Sequence, residues 1–203
     1  MSRKRLALVG VIIASFSIGA VVALLQLPGV LDPGVKSLTT GRALVGGPFT
    51  LTSHTGKRVS DKDFAGRYML IYFGFTYCPD VCPSGLQVMA AAIDKLGPKG
   101  QKIVPILITV DPERDTPEQL AKYVGQFHPR LVGLTGSTEE VRQVAKAYRV
   151  YYNKVKDEKS TAGYTVDHSA LFLLMDPEGN YAAHFSHGTN VDVMTKRLDE
   201  VVR

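Results

Sequence analysis

An α/β fold built on a mixed sheet is what the sequence predicts, on three observations. Two continuous apolar runs, Tyr68 to Phe73 and Ile103 to Val110, have the character of strands buried on both faces, as in a parallel sheet covered by helices. Segments with helical spacing of apolar residues alternate with such runs. Near the end, an apolar run, a turn and a second run read as an antiparallel hairpin followed by one more helix.

Taken in order, Phe49 to Leu51 and Val59 suggest a small opening hairpin, and Tyr68 to Phe73 is the first buried strand. Leu86, Met89, Ile93 and Leu96 then recur at helical spacing, and Gly97-Pro98 closes that helix. Ile103 to Val110 is the second strand. Thr116-Pro117-Glu118-Gln119 is a capping box with proline at the first helical position, opening a helix to about Gln126. Leu131 to Leu134 is a short third strand, and Ser137-Thr138-Glu139-Glu140 caps a helix to Tyr148. Ser169 to Met175 is a fourth strand, Asp176-Pro177-Glu178-Gly179-Asn180 a turn, Tyr181 to Phe185 a fifth strand, and Val191 to Val202 the last helix. The order βαβαβα then ββα is that of a thioredoxin-like fold, with a parallel part and a terminal antiparallel hairpin.

The N-terminus adds a single transmembrane helix to this expectation. Residues 6–27 carry no charge, and 22 residues at about 1.5 Å each span a bilayer core of roughly 30 Å. A cleaved signal peptide has a shorter apolar region and a small-x-small cleavage site, neither of which is present before Pro28. Arg3, Lys4 and Arg5 precede the span, so residues 1–5 are expected in the cytoplasm and the rest across the membrane. No Arg- and Ser-rich presequence precedes it, which points to a bacterial inner-membrane protein with a periplasmic domain, a compartment where disulfides persist. Residues 28–44, rich in Pro and Gly, read as a linker, and 45–203 as one domain. Of the formal net charge of +5, those three N-terminal residues supply three, and the remaining basic residues are interspersed with acidic ones. That pattern gives no support to nucleic-acid binding.

Cys78 and Cys82 are the only cysteines in the chain, in Gly74-Phe75-Thr76-Tyr77-Cys78-Pro79-Asp80-Val81-Cys82-Pro83. Each precedes a proline, which disfavours helical backbone at the cysteine, so the pair is expected in a loop between strand and helix. Pro83 suits the first helical position and makes Cys82 the expected N-cap, where the positive helix end would lower its pKa. A structural disulfide closing so small a loop would gain little chain entropy. Two readings stay open on spacing alone. Redox pairs of thioredoxin type have two intervening residues rather than three, whereas the extra slack suits two sulfurs around a metal ion.

A third ligand is expected from His168, in Val166-Asp167-His168-Ser169-Ala170. If the strand 169–175 runs antiparallel beside 68–75, its start lies near the cysteines. Thioredoxin-like redox enzymes place a cis-proline at this corner; here a histidine stands instead. Two thiolates and an imidazole suit Cu(I), or Cu(II) with an added ligand, and leave zinc one ligand short of a closed site. His54, His128, His184 and His187 have no such argument and are set aside.

The cysteine loop, Thr109-Val110-Asp111-Pro112-Glu113-Arg114-Asp115-Thr116-Pro117 and Asp167-His168-Ser169-Ala170 together resemble the Sco/SenC family over about residues 45–203 and the N-terminal anchor. The resemblance implies a membrane-anchored, thioredoxin-fold metallochaperone, not an enzyme. It would bind Cu(I) or Cu(II) through Cys78, Cys82 and His168 and deliver it to the Cu(A) site of cytochrome c oxidase. The partners so implied are the oxidase subunit carrying Cu(A), a copper donor and a thiol reductant. Asp111 and Asp115 match a motif implicated in docking or in tuning the site. Residues 151–166 would form an inserted hairpin whose movement could bring His168 to the sulfurs. The competing expectations are a thiol-disulfide oxidoreductase that reduces the oxidase cysteines through Cys78 and Cys82, and a peroxide- or redox-sensing protein.

Overall fold

The computed structural model describes residues 44–156 and 163–203. The expected cytoplasmic residues 1–5, the anchor 6–27 and the linker up to residue 43 lie outside the described residues. Among those described, no helix is long and apolar enough to cross a membrane.

The chain opens with the short strands β1 (Thr50–Ser53) and β2 (Arg58–Ser60), then a 3-10 turn at Asp61–Phe64. There follow β3 (Tyr68–Gly74), α1 (Val81–Lys95), a second 3-10 segment (Gly97–Lys102), β4 (Ile103–Thr109), α2 (Pro117–Val124), β5 (Val132–Thr135) and α3 (Thr138–Ala147). The hairpin strands β6 (Tyr152–Lys156) and β7 (Tyr164–His168) come next, then β8 (Leu171–Met175), β9 (Tyr181–Ser186) and α4 (Val191–Val201).

Seven strands form one mixed sheet in the order β2-β1-β5-β4-β3-β8-β9. β3 runs parallel to β4, β4 parallel to β5, and β8 antiparallel to both β3 and β9. Every residue of β3 and β4 is buried, the reason both read as unbroken apolar runs. Leu70, Ile71, Ile106, Leu107, Leu134 and Leu174 form the centre of the core, each with no exposed surface. α1 packs along α4, where Thr195 Oγ1 reaches the Ala92 carbonyl at 3.5 Å.

Local chemistry sets the helix boundaries. Ser137 accepts from the Glu140 amide at 3.2 Å while the Glu140 carboxylate accepts from Ser137 N–H at 2.7 Å, a complete capping box. At α2 only half of the expected box forms. Thr116 accepts from the Gln119 amide at 3.2 Å, but the Gln119 side chain turns away to donate to Thr76 Oγ1 at 3.4 Å. The region after α3 departs furthest from the sequence expectation. The fourth core strand starts at Leu171 rather than Ser169, because His168 ends β7, whose register with β6 pairs it with Tyr152. β6 and β7 form a two-stranded sheet of their own.

Candidate metal centre

The site is built at the carboxyl end of β3, where open α/β sheets place their ligands. After Gly74 the chain turns, with Cys78 N–H donating to the Phe75 carbonyl at 3.3 Å, and enters α1 at Val81. Asp80, not Cys82, occupies the cap position, so Cys82 is the second residue of the helix and Pro83 the third. This corrects the expected N-cap. The first-turn amides have no acceptor within the helix, so proline is tolerated at the third position as well as the first. The Cys82 amide finds an acceptor anyway in Cys78 Sγ, at 3.4 Å.

Cys82 is wholly buried and Cys78 half-buried. Gly74 makes room for the deeper sulfur: a Cβ there would lie 2.9 Å from Cys82 Sγ and 3.0 Å from the Tyr72 ring. His168 Nε2 stands 3.5 Å from Cys82 Sγ, and its Nδ1 lies 3.4 Å from the Ser169 carbonyl. Tyr72 and Phe75 meet the imidazole edge-on, with ring centroids 6.2 and 5.8 Å away. The donor atoms of Cys78, Cys82 and His168 all fall within 4.8 Å of one another. A single ion with bonds of about 2.0–2.3 Å would hold its ligands up to about 4.6 Å apart, so the set fits one ion with slight closure.

The two thiols differ in acid strength, in the opposite sense to the sequence expectation. The hydrogen bond from Cys82, and then one from His168 and the amides of Cys82 and Asp80, push Cys78 down from 9.0 to about 4, against the opposing effect of burial. Cys82 is pushed up, first because its proton is held by Cys78 and then by burial. The loop thiol is thus favoured as thiolate over the thiol at the helix start, and its sulfur also accepts from the Cys82 amide.

Asp111 and Asp115, which the resemblance implicates in docking or in tuning the site, are both completely buried. Asp115 accepts from Thr76 N–H at 3.0 Å, Thr76 Oγ1 at 2.6 Å and Thr109 Oγ1 at 2.6 Å, tying the cysteine loop to the end of β4. Burial raises its pKa, opposed by those hydrogen bonds. Asp111 accepts from Arg114 Nε and, at 2.8 Å, from the Tyr164 hydroxyl. Sequence reasoning missed Arg114 and Tyr164. A capped helix behind an acidic loop gave no sign that the arginine turns inward.

The remaining histidines serve the fold. His128 is buried, accepting from Arg130 N–H at 3.1 Å with Asp94 at 3.2 Å, and His54 accepts from Gly133 N–H at 3.1 Å. His184 contacts the Tyr181 hydroxyl, and the His187 amide donates to the Ala170 carbonyl at 2.9 Å.

Comparison with known proteins identifies the family and fold. The family model described as SCO1/SenC matches residues 37–203. The chain belongs to the SCO1/SenC family. A human protein, SCO1 homolog, mitochondrial, is 51% identical over 148 residues, covering 71% of this chain and 48% of the human one. The chain spans about half the length of the human and Arabidopsis thaliana relatives it matches. The crystal structure of Arabidopsis thaliana ScoI with copper bound aligns with a TM-score of 0.75 at 48% identity, over 78% of this chain and 98% of that one. BsSco, whose structure is described as identifying a disulfide switch in a member of the Sco family of cytochrome c oxidase assembly proteins, aligns with a TM-score of 0.62 at 25% identity, over 80% and 96% of the two chains.

Proposed function

We propose that this chain is a copper metallochaperone that binds the ion through Cys78, Cys82 and His168 and delivers it to the Cu(A) site of cytochrome c oxidase. The observation that carries the reading is the convergence of two sulfurs and one imidazole nitrogen within 4.8 Å. This is a soft, three-donor set suited to Cu(I), with room for an added ligand if Cu(II) is held. The copper-bound Arabidopsis relative and the assembly role of the Sco family in the description of BsSco support it. Copper would be cargo here, and the half-buried Cys78 is the donor a partner could reach first, Cys82 being wholly buried. The uncharged residues 6–27 support an inner-membrane anchor with the domain in the periplasm, next to the oxidase subunit that receives the copper. A copper donor and a thiol reductant complete the set of partners.

The test is anaerobic Cu(I) titration of reduced residues 28–203 beside Cys78→Ser, Cys82→Ser and His168→Ala. One tight equivalent that is lost or severely weakened in all three variants is the expected result. Binding that ignores His168 sinks the three-donor site.

A second reading has its own observation. The lowered pKa of Cys78 beside the buried, protonated Cys82 is the asymmetry of a thiol pair that attacks and resolves disulfides. Reduction of the oxidase cysteines by this pair is compatible with copper delivery, since the same thiols must be reduced to bind metal. Full exchange activity in His168→Ala, with no tight copper site in the wild type, would favour it over the first.

A further inference from the structure

The three donors come from two segments separated by 86 positions, the cysteine loop and the end of β7. β7 pairs only with β6, so among the described residues no strand ladder ties the histidine's hairpin to the seven-stranded sheet. β8 begins three positions after His168 and anchors that end of the hairpin through the backbone, and Val166 is buried in the core; at the Tyr164 end the contacts gather on Arg114. Arg114 Nε donates to buried Asp111, and Nη1 donates to the Tyr164 carbonyl at 3.1 Å. The guanidinium carbon lies 3.7 Å from the centroid of the Tyr164 ring and 4.7 Å from that of Tyr77, the residue before Cys78. It also lies 5.9 Å from the ring of Phe75, which in turn meets His168 edge-on.

The grip has a second layer. The Tyr164 hydroxyl donates to Asp111 at 2.8 Å, and Asp111 N–H donates to Thr109 Oγ1 at 2.9 Å, fixing the acceptor to the end of β4. Lys154 of β6 pairs with Glu113 at 2.6 Å and lies 4.9 Å from the Tyr164 ring. An arginine needed only to neutralise Asp111 would require neither the Tyr164 carbonyl nor rings from both donor-bearing segments. A planar guanidinium can stack and fork at once, which an ammonium cannot.

We propose that Arg114 is a positioning residue for the metal centre: by holding Tyr164 of β7 and Tyr77 of the cysteine loop together, it sets His168 over the two sulfurs. The inference rests on the copper-binding reading for its affinity readout, and has a second readout that needs no metal.

Two measurements on Arg114→Gln, Arg114→Lys and Tyr164→Leu test it. In metal-free protein, deuterium uptake across Tyr164–His168 rises in all three variants, least in Arg114→Lys, while uptake in β3 and β4 is unchanged. In anaerobic Cu(I) titration each variant loses about 10- to 100-fold in affinity, as expected when a residue supporting a ligand is removed, and the loss vanishes when the same change is made in a His168→Ala background. Should Arg114→Gln fail to fold, the other two variants carry both measurements. Unchanged uptake, or an equal loss of affinity in both backgrounds, overturns the proposal. A wild type that binds no Cu(I), together with raised uptake in the variants, would refute the copper reading while leaving the positioning role standing.

Discussion

Cys78 and Cys82 are chemically identical residues four positions apart, and the fold assigns them opposite roles through burial and hydrogen bonding. Cys78 accepts hydrogen bonds from the Cys82 thiol and amide, which favours its thiolate; burial beside Tyr72 and the bare Gly74 favours the neutral thiol at Cys82. Because the folded pKa of Cys78 is depressed from 9.0 to about 4, the stabilisation it supplies is complete above about pH 9 and is lost as pH falls toward 4. Reactivity follows the same window. Alkylation of reduced Cys78 by iodoacetamide should change little between pH 6 and 8, where an ordinary thiol gains roughly a hundredfold, and Cys82 should stay unmodified. A rate rising tenfold per pH unit would show that Cys78 is an ordinary thiol. At this scale the clustering of Cys78, Cys82 and His168 was legible, because two cysteines in one loop and a histidine just ahead of a core strand are joined by one topological step. Arg114 and Tyr164 were not. Stacking between segments 50 residues apart leaves no periodicity and no motif.

Elements were readable where one local force decides them. The strands β3 and β4 announce themselves by burial on both faces, and α3 by the reciprocal bonds of Ser137 and Glu140. Ser137→Ala should therefore lower unfolding stability by about 0.5–2 kcal/mol in denaturant titration and leave the copper stoichiometry untouched. A change within a few tenths of a kcal/mol would mean that the Arg58–Glu140 ion pair, at 2.6 Å, holds the helix start without the cap. Reading failed where two local rules compete. At Cys82 the restriction imposed by the following proline argued for a cap, whereas the helix begins two residues earlier because the first-turn amides leave a proline unpenalised. At Gln119 a capping partner was available, but Thr76, brought in from a remote loop, claimed the side chain.

Across the whole molecule, the mixed sheet with its parallel part and terminal hairpin follows from the alternation of elements, and the antiparallel β3–β8 pairing is what carries the end of the hairpin toward the cysteines. On the proposed reading, a bound ion would join the cysteine loop to the end of β7, a strand outside the main sheet. Binding to the folded state alone shifts the unfolding equilibrium. At a thousandfold excess of free Cu(I) over its Kd the gain is about 4 kcal/mol. That corresponds to roughly 8–16 °C in Tm at about 2–4 °C per kcal/mol for a domain of this size. Calorimetry of the wild type and His168→Ala checks it, since the variant should lose most of the shift. A shift retained in full by His168→Ala would place the ion on the sulfurs alone.

The 86-position separation between Cys82 and His168 also has a meaning in time. A chain made from its N-terminus presents both thiols before the imidazole exists, and at about 5–20 residues per second that interval lasts roughly 4–17 s. During it a soft ion, or an oxidant, meets the two sulfurs without the His168 imidazole. Translation alone never delivers the complete donor set; it exists only once the segment carrying His168 has folded back onto the cysteine loop.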